Sequence, residues 1–348
     1  MKDRTGDPSA VNIKDVAARA GVSVGTVSNV LNRPAVVRVA TRSRVEEAIA
    51  ELGFVPNASA RQLVAGENHT LAYVVLDISN PFFTDVAKGI EEVTEGEGLS
   101  LFICNSDQSE AKEDRVLERL TELRVRGVLI TALDYGNRRL AQLRHLRIPV
   151  VLIDRTPDLA GDWCAVGVDD VAGGALAMAH LLDIGRDAPA FVGGPLSVPQ
   201  LGDRLLGARK AITEAGSDEG ALLVFETTSP TIDHGRRAGE RLLGLPLARR
   251  PNAVFCANDL LAFGFQQMLL RHGVRVPDDV AIVGYDDIEL AEAATVPISS
   301  VSQPRHALGR SGAALLLEEV HDPDHEHRHI LFSPELVARA SSVQLHST

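Results

Sequence analysis

The spacing of apolar side chains along the chain changes character near residue 70. Before it, in the stretch Ile13 to Asn32 (IKDVAARAGVSVGTVSNVLN), Val16, Val22, Val27 and Val30 recur at intervals that let two short helices bury one shared face. Ala17 is small where the helices would cross, and Gly21 opens the turn between them. Ser23 supplies a side-chain oxygen at the start of a second helix, predicted over Ser23 to Leu31, where the first amides lack partners. A third helix is predicted from Thr41 to Leu52, with Val45, Ala48, Ile49 and Leu52 inward and Gly53 as its stop. The following FVPNASARQLVAG permits a further helix of about two turns, capped by Asn57, too short to be stable alone in water. From Leu71 onward, apolar runs of strand length alternate with amphipathic stretches. The runs are Leu71–Leu76, Leu99–Cys104, Gly127–Leu133, Pro149–Ile153, Ala165–Val168, Ala190–Val192, Ala221–Phe225, Ala253–Ala257 and Val280–Val283. The helices between them include Asp85–Glu97, Glu110–Arg124, Val171–Leu182 and Leu261–His272. Such a βαβ series predicts parallel sheets covered by helices on both faces. Nine or more strands divide more naturally into two sheets, hence two lobes with a cleft.

Composition changes this picture in one respect. The 348 residues carry a net charge of −12, which on its face argues against a nucleic-acid partner. The charge is unevenly distributed: residues 1–66 hold nine Lys/Arg against six Asp/Glu, while the remainder holds 26 against 41. A basic module on an acidic body suits a DNA-binding head, and the polar outer face of the second helix has the length to enter a major groove. A helical hairpin satisfied inside some other domain is the plainer alternative. The polar N-terminus (MKDRTGDPSA) is expected to be a disordered lead-in rather than a signal peptide, and no run is long enough for a membrane helix. Three widely separated cysteines, Cys104, Cys164 and Cys256, suggest buried structural thiols in a reducing cytoplasm.

Ligands of open α/β sheets bind beyond the carboxyl ends of the strands, so those exits are the place to look for a site. Asp77, Asn105 to Asp107, Asp154-Arg155, Asn258-Asp259 and Asp286-Asp287 stand there, with Phe82-Phe83 just beyond the first. Any one of these is equally a helix cap or turn former. Their recurrence in both lobes, with Arg204 as a forked donor, suits a neutral polyhydroxylated ligand whose hydroxyls must exchange water bonds for protein ones. A stacked purine also fits. No nucleophile elbow, phosphate-cradling loop or HExxH motif is present, so binding is favoured over catalysis and no cofactor is expected. In HDPDHEHRH the residues His325, His327 and His329 alternate, and on a strand they would share a face that could bind a metal. With no cysteine partner evident, a solvated loop is expected there.

From Val11 to Ser342 the chain resembles the lactose-repressor (LacI/GalR-type) family of bacterial transcription regulators. The shared landmarks are IKDVAARAGVSVGTVSNVLN, PNASARQL, DISNPFF, RVRGVLI, PVVLIDR, VDDVAGG, FVGGP with GDR, VFCANDLLAFG, VPDDVAIVGYDDIELA, TVPISSVSQP and ELVARASS. The resemblance implies an all-α helix-turn-helix domain over 11–56, a hinge helix over 57–66, and a two-lobed α/β periplasmic-binding-protein-like sensor over 70–348. Three crossovers, near Asp169, Pro297 and Ser333, would make lobe one 70–168 with 298–332, and lobe two 169–297 with 333–348. By position, Val24, Gly25 and Asn29 would read bases, with Ser23, Thr26 and Ser28 near phosphates, Arg38 within reach of phosphate, and Asn32 among the DNA-binding residues. Asn57, Ala60 and Leu63 would lie in the hinge, Leu63 wedged between central base pairs. Val24 and Gly25 are smaller than the family's usual pair, which shifts readout onto Asn29, and Arg38 stands where a capping Ser is common. Phe82, Phe83, Asp107, Asp154, Arg204, Asn258 and Asp286 would meet the effector. Val198 and Gln200 depart from purine-responsive relatives, which favours a sugar inducer over a purine corepressor; a phosphorylated carrier protein is a further coregulator of such families. The implied protein is a cytoplasmic homodimer on palindromic operator DNA. The tail after Ser342 is too short for a tetramerising helix.

Overall fold

The computed structural model describes residues 11–54, 68–134, 136–155, 163–322 and 324–343. The chain divides into two compact units, one ending at Asn68 and the other beginning at His69. The lead-in over 1–10 and the hinge segment over 57–66, with Asn57, Ala60 and Leu63, lie outside the described residues.

In the first unit, α1 (Ile13–Ala20) starts on a reciprocal cap: Asn12 Oδ1 accepts from the Lys14 amide at 2.9 Å, and the Asn12 amide donates to Asp15 Oδ2 at 2.9 Å. Gly21, at φ 65°, ends the helix in the left-handed conformation that only glycine adopts without cost. Helix α2 (Val24–Asn32) begins one residue after its cap, where Ser23 Oγ accepts from the Thr26 amide at 3.1 Å. Helix α3 (Val39–Leu52) starts two residues earlier than its apolar stripe suggests. Arg38 occupies its N-cap position without bonding the helix through its side chain. Val16, Ala17, Ala20, Val27, Val30, Val45 and Ala48 form the buried core, while Val22, Ile49 and Leu52 pack partly buried around it.

The second unit holds two six-stranded sheets. The first sheet is all parallel, in the order β11 (His329–Phe332), β5 (Cys164–Val168), β4 (Val150–Ile153), β3 (Gly127–Ile130), β1 (Thr70–Val75), β2 (Ser100–Asn105). The second runs β12 (Glu335–Val337), β10 (Ser299–Ser302), β9 (Ala281–Asp286), β8 (Ala253–Cys256), β6 (Pro189–Gly193), β7 (Leu223–Glu226). In it only β12 is antiparallel. Helices α4 (Pro81–Gly96), α5 (Glu110–Glu122), α6 (Arg138–His145) and α12 (Arg305–His321) cover the first sheet. Helices α7 (Asp170–Asp183), α8 (Pro199–Glu214), α9 (Ile232–Leu243), α10 (Asp259–Arg271) and α11 (Glu289–Ala293) belong to the second. Central strands are buried along their whole length, which is why they read as unbroken apolar runs. Helices α4 and α12 cross in backbone contact: a Cβ on Gly89 would run into the His306 carbonyl, and one on Gly309 into that of Val86.

The chain passes between sheets after Val168, after Ser302 and after Phe332. The middle passage differs from the one expected near Pro297. Residues Ser299–Ser302 are a strand of the second lobe, and the chain crosses at Gln303-Pro304. This strand is absent from the predicted apolar runs because three of its four residues are serines. Its hydroxyls are consumed internally, Ser300 Oγ donating to Asp259 Oδ1 at 2.7 Å and Ser299 Oγ to the Arg339 carbonyl at 3.0 Å.

Candidate nucleic-acid interface and ligand site

On α2, the residues that do not pack inward form one surface. Ser23, Val24, Gly25 and Asn29 are exposed, and Thr26, Ser28 and Asn32 are half-buried beside them. Ser23 Oγ and Thr26 Oγ1 share a 2.9 Å hydrogen bond, and Asn32 Nδ2 donates to Ser28 Oγ at 3.2 Å. These polar side chains are thus paired with each other at the flanks. Asn29 makes no such bond among the described residues and presents both amide functions outward, the pair that matches the N6 and N7 edge of adenine. Val24 is 41% exposed, which suits contact with a thymine methyl. Arg38 is exposed at the start of α3. Asn29→Ala is expected to weaken binding to the operator selected from random duplexes by about 1–3 kcal/mol, roughly ten- to a hundredfold. A gel-shift titration showing equal affinity would place base readout elsewhere.

Between the lobes, at the carboxyl ends of the strands, lies a slot enclosing about 540 Å³ of space, part of it open to solvent. A space of that size, lined from both lobes, suits a small molecule. Phe82 and Phe83 form the apolar wall at the head of α4, their rings edge to face at 5.1 Å. Asn80 places them: its Oδ1 caps α4 by accepting from the Phe82 amide at 3.0 Å, and Pro81 fixes the first turn.

Arg204, on α8, is the buried centre of charge. Its Nε donates to Asp170 Oδ1 at 2.8 Å and one terminal nitrogen to the Ala257 carbonyl at 2.7 Å, with Asp286 Oδ1 at 3.7 Å. The guanidinium carbon lies over the Tyr285 ring, 3.7 Å from its centroid. Gly173 makes room for that ring, since a Cβ there would overlap the Tyr285 hydroxyl. Burial works against the charge on Arg204, but the carboxylates of Asp170, Asp286 and Asp154 outweigh it and hold the proton on.

The carboxylates at the strand exits are aimed by unusual backbone. Asp154 sits at φ 59° and Asp286 at φ 100°, conformations that L-residues rarely adopt and that turn the side chains into the slot. Asp286 also joins the lobes: Asn80 Nδ2 from the first lobe donates to its Oδ2 at 3.3 Å, and Gln303 on the middle crossing donates to its Oδ1 at 2.8 Å. Arg305 of α12 donates to the Asp286 and Asp287 carbonyls while its Nε bonds Asp85 on α4 at 3.1 Å. Burial raises the Asp286 carboxyl above its usual range, partly offset by Arg204. Burial, with Asp170 and Asp286 nearby, pushes Asp154 up to about 8. Two acceptors in the slot are buried without any partner, Asp154 Oδ1 and Gln200 Oε1.

Of the residues expected to meet a ligand, Phe82, Phe83, Asp154, Arg204, Asn258 and Asp286 line this one slot. Asn258 is at the same time a helix cap, accepting from the Leu261 amide at 2.9 Å and donating to the Pro230 carbonyl at 3.0 Å. Asp107 stands apart. At φ 56° it turns into solvent toward Lys112 Nζ at 3.7 Å, and its neighbour Gln108 reaches the slot instead. Sequence reasoning passed over Asn80 and Gln108, and named Val198 and Gln200, which also line the slot, only as departures from purine-responsive relatives. Asn80 has a signal in hindsight, since Asn before Pro at a strand exit marks a capped helix start.

Residues 12–57 match the family described as bacterial regulatory proteins, lacI family, and residues 178–342 match the periplasmic binding protein-like domain. The ribose operon repressor of Escherichia coli (strain K12) is 36% identical over 335 residues, covering 95% of this chain and 99% of that protein. The HTH-type transcriptional repressor PurR of Aliivibrio fischeri (strain MJ11) is 33% identical over 330 residues, covering 94% and 97%. Among solved structures, a LacI family transcriptional regulator from Enterococcus faecium with bound ribose superposes with a TM-score of 0.72 at 28% identity, covering 79% of this chain and 99% of that one.

Proposed function

Since this chain belongs to the lacI family of bacterial regulatory proteins, and is thus a DNA-binding transcriptional regulator rather than an enzyme, we propose that it represses carbohydrate-utilisation genes and that a sugar bound between its lobes releases it from a palindromic operator. The observation that carries this reading is the pair of partnerless buried acceptors, Asp154 Oδ1 and Gln200 Oε1, on residues that line the same slot as Arg204 and the Phe82-Phe83 wall. A buried acceptor without a donor costs about 1–3 kcal/mol, which a ligand rich in hydroxyl donors recovers. Neutral sugars bring such donors and an apolar ring face without adding charge to a slot already crowded with carboxylates.

A homodimer is part of the proposal. Phe102 and Ile103 are consecutive residues of β2, the edge strand of the first sheet, and so point to opposite faces; they are 47% and 39% exposed. An apolar edge open on both sides is a surface for another chain. Two heads would then reach two half-sites, with the segment over 57–66 folding between them on the DNA and Leu63 entering the minor groove. Ligand changes lobe closure through the bonds that span the slot, Asn80 to Asp286 and Gln200 to the Asp154 carbonyl at 2.6 Å, and so alters the spacing of the heads. Coupling of about 1–3 kcal/mol is enough to change occupancy when affinity sits near working concentration. The proposed place of work is the cytoplasm; no helix among the described residues is long and apolar enough to cross a membrane.

The ribose-bound relative makes D-ribose the first ligand to try, followed by other pentoses, hexoses and nucleobases. Thermal-shift screening should find a stabilising sugar, and that sugar should dissociate the selected operator in a fluorescence titration, with sedimentation reporting a dimer that Phe102→Asp splits. Stabilisation by a nucleobase alone, with tighter operator binding, would replace the inducer reading with a corepressor.

A further inference from the structure

At the opposite end of the first sheet from the slot, where its strands begin, four potential metal ligands converge. Cys164 opens β5, Glu319 lies in the last turn of α12, and His325 and His327 sit on the loop that leads into β11. One ligand atom from each lies within 4.8 Å of all the others. We propose that these residues form a closed, four-ligand site for a zinc-class divalent ion, a role independent of the effector slot.

The distances fit. Cys164 Sγ is 3.1 Å from His325 Nε2 and 3.8 Å from His327 Nδ1. Tetrahedral zinc with ordinary Zn–S and Zn–N bonds separates its sulfur and nitrogen ligands by about 3.6 Å, between those two values. The two imidazole rings meet edge to face at 5.1 Å, each with one nitrogen near the sulfur. Glu319 is held by the Val150 amide, while its Oε2 is buried without a partner. The Arg328 amide donates to Cys164 Sγ at 3.4 Å, the outer-shell bond that favours a thiolate. His329 takes no part: its Nε2 meets the Trp163 carbonyl at 3.0 Å. One sulfur, two imidazoles and one carboxylate form a donor set that suits zinc and cobalt and disfavours magnesium or calcium. With all four positions filled by protein, the ion would act as a structural clamp joining the end of α12 and the edge strand β11 to β5.

The test uses the untagged full-length chain, stripped with chelator and titrated with Co²⁺. Expected are one equivalent bound, visible bands of tetrahedral cobalt and a thiolate-to-metal band in the near ultraviolet, all erased by Zn²⁺, and a higher melting temperature with zinc. Cys164→Ser should lose the thiolate band, Cys104→Ser should keep it, and His325→Gln, on the partly exposed loop, should weaken cobalt by more than about a hundredfold, beyond the usual cost of losing an outer-shell partner. Absence of stoichiometric cobalt binding, or a thiolate band that survives Cys164→Ser, would overturn the assignment.

Discussion

Arg204→Ala should abolish release of the operator by its effector while leaving operator binding in place. The guanidinium sits among Asp154, Asp170 and Asp286, and its removal strands buried carboxylates that were paired at 2.8 and 3.7 Å. Breaking a buried pair in this way costs about 3–5 kcal/mol, so the sensor should also melt at a clearly lower temperature. Arg204→Lys separates the two effects. A lysine keeps the charge and part of the stability, but it cannot sit over Tyr285 while bonding Asp170 and the Ala257 carbonyl together, so the response stays lost. The measurement is operator release against effector concentration, paired with thermal melting. A normal release curve for Arg204→Ala would remove this residue from the ligand site.

A second large effect concerns pH. Asp154 has its carboxyl moved from near 3.8 to about 8 by burial and by its acidic neighbours. The folded state therefore holds a proton that the unfolded chain gives up, and stability falls as pH rises across that window, by up to about 1.4 kcal/mol per pH unit. Above about 8 both states are ionised and the loss is complete. The sensor should melt at a lower temperature at pH 8 than at pH 6, and Asp154→Asn, which copies the protonated shape, should be the more stable protein at alkaline pH. Other raised carboxyls, including Glu113 and Asp203, contribute to the wild-type slope, so the readout is the difference between wild type and variant. Parallel curves would show that Asp154 ionises normally.

Much of this was legible from the chain because central parallel strands are buried on both faces and carry nothing but apolar residues, as in Val150–Ile153 and Ala253–Cys256. The capped turn at Gly21 and Ser23 was equally plain, each residue type having one strong reason to be there. What stayed hidden depended on partners far away in sequence. Ser299 and Ser300 gave no strand signal because hydroxyls count as polar until Arg339 and Asp259 are placed beside them. Asp107 and Gln108 differ by one position, and only the left-handed bend at both decides which faces the slot. Asn80 needed Asp286, and His325 needed Cys164, before either had a visible purpose.

The three passages of the chain between the sheets, the last only two residues long between Phe332 and Glu335, set what kind of machine the sensor can be. Two bodies stitched at three neighbouring points are freest to bend about the line through them and are restrained against twisting apart or sliding. Ligand energy spent in the slot then has one favoured mechanical outlet instead of being spread evenly over many. The same stitching means that neither lobe is a continuous piece of chain. A truncation anywhere before the final strands leaves both sheets short, so this sensor is kept or lost whole.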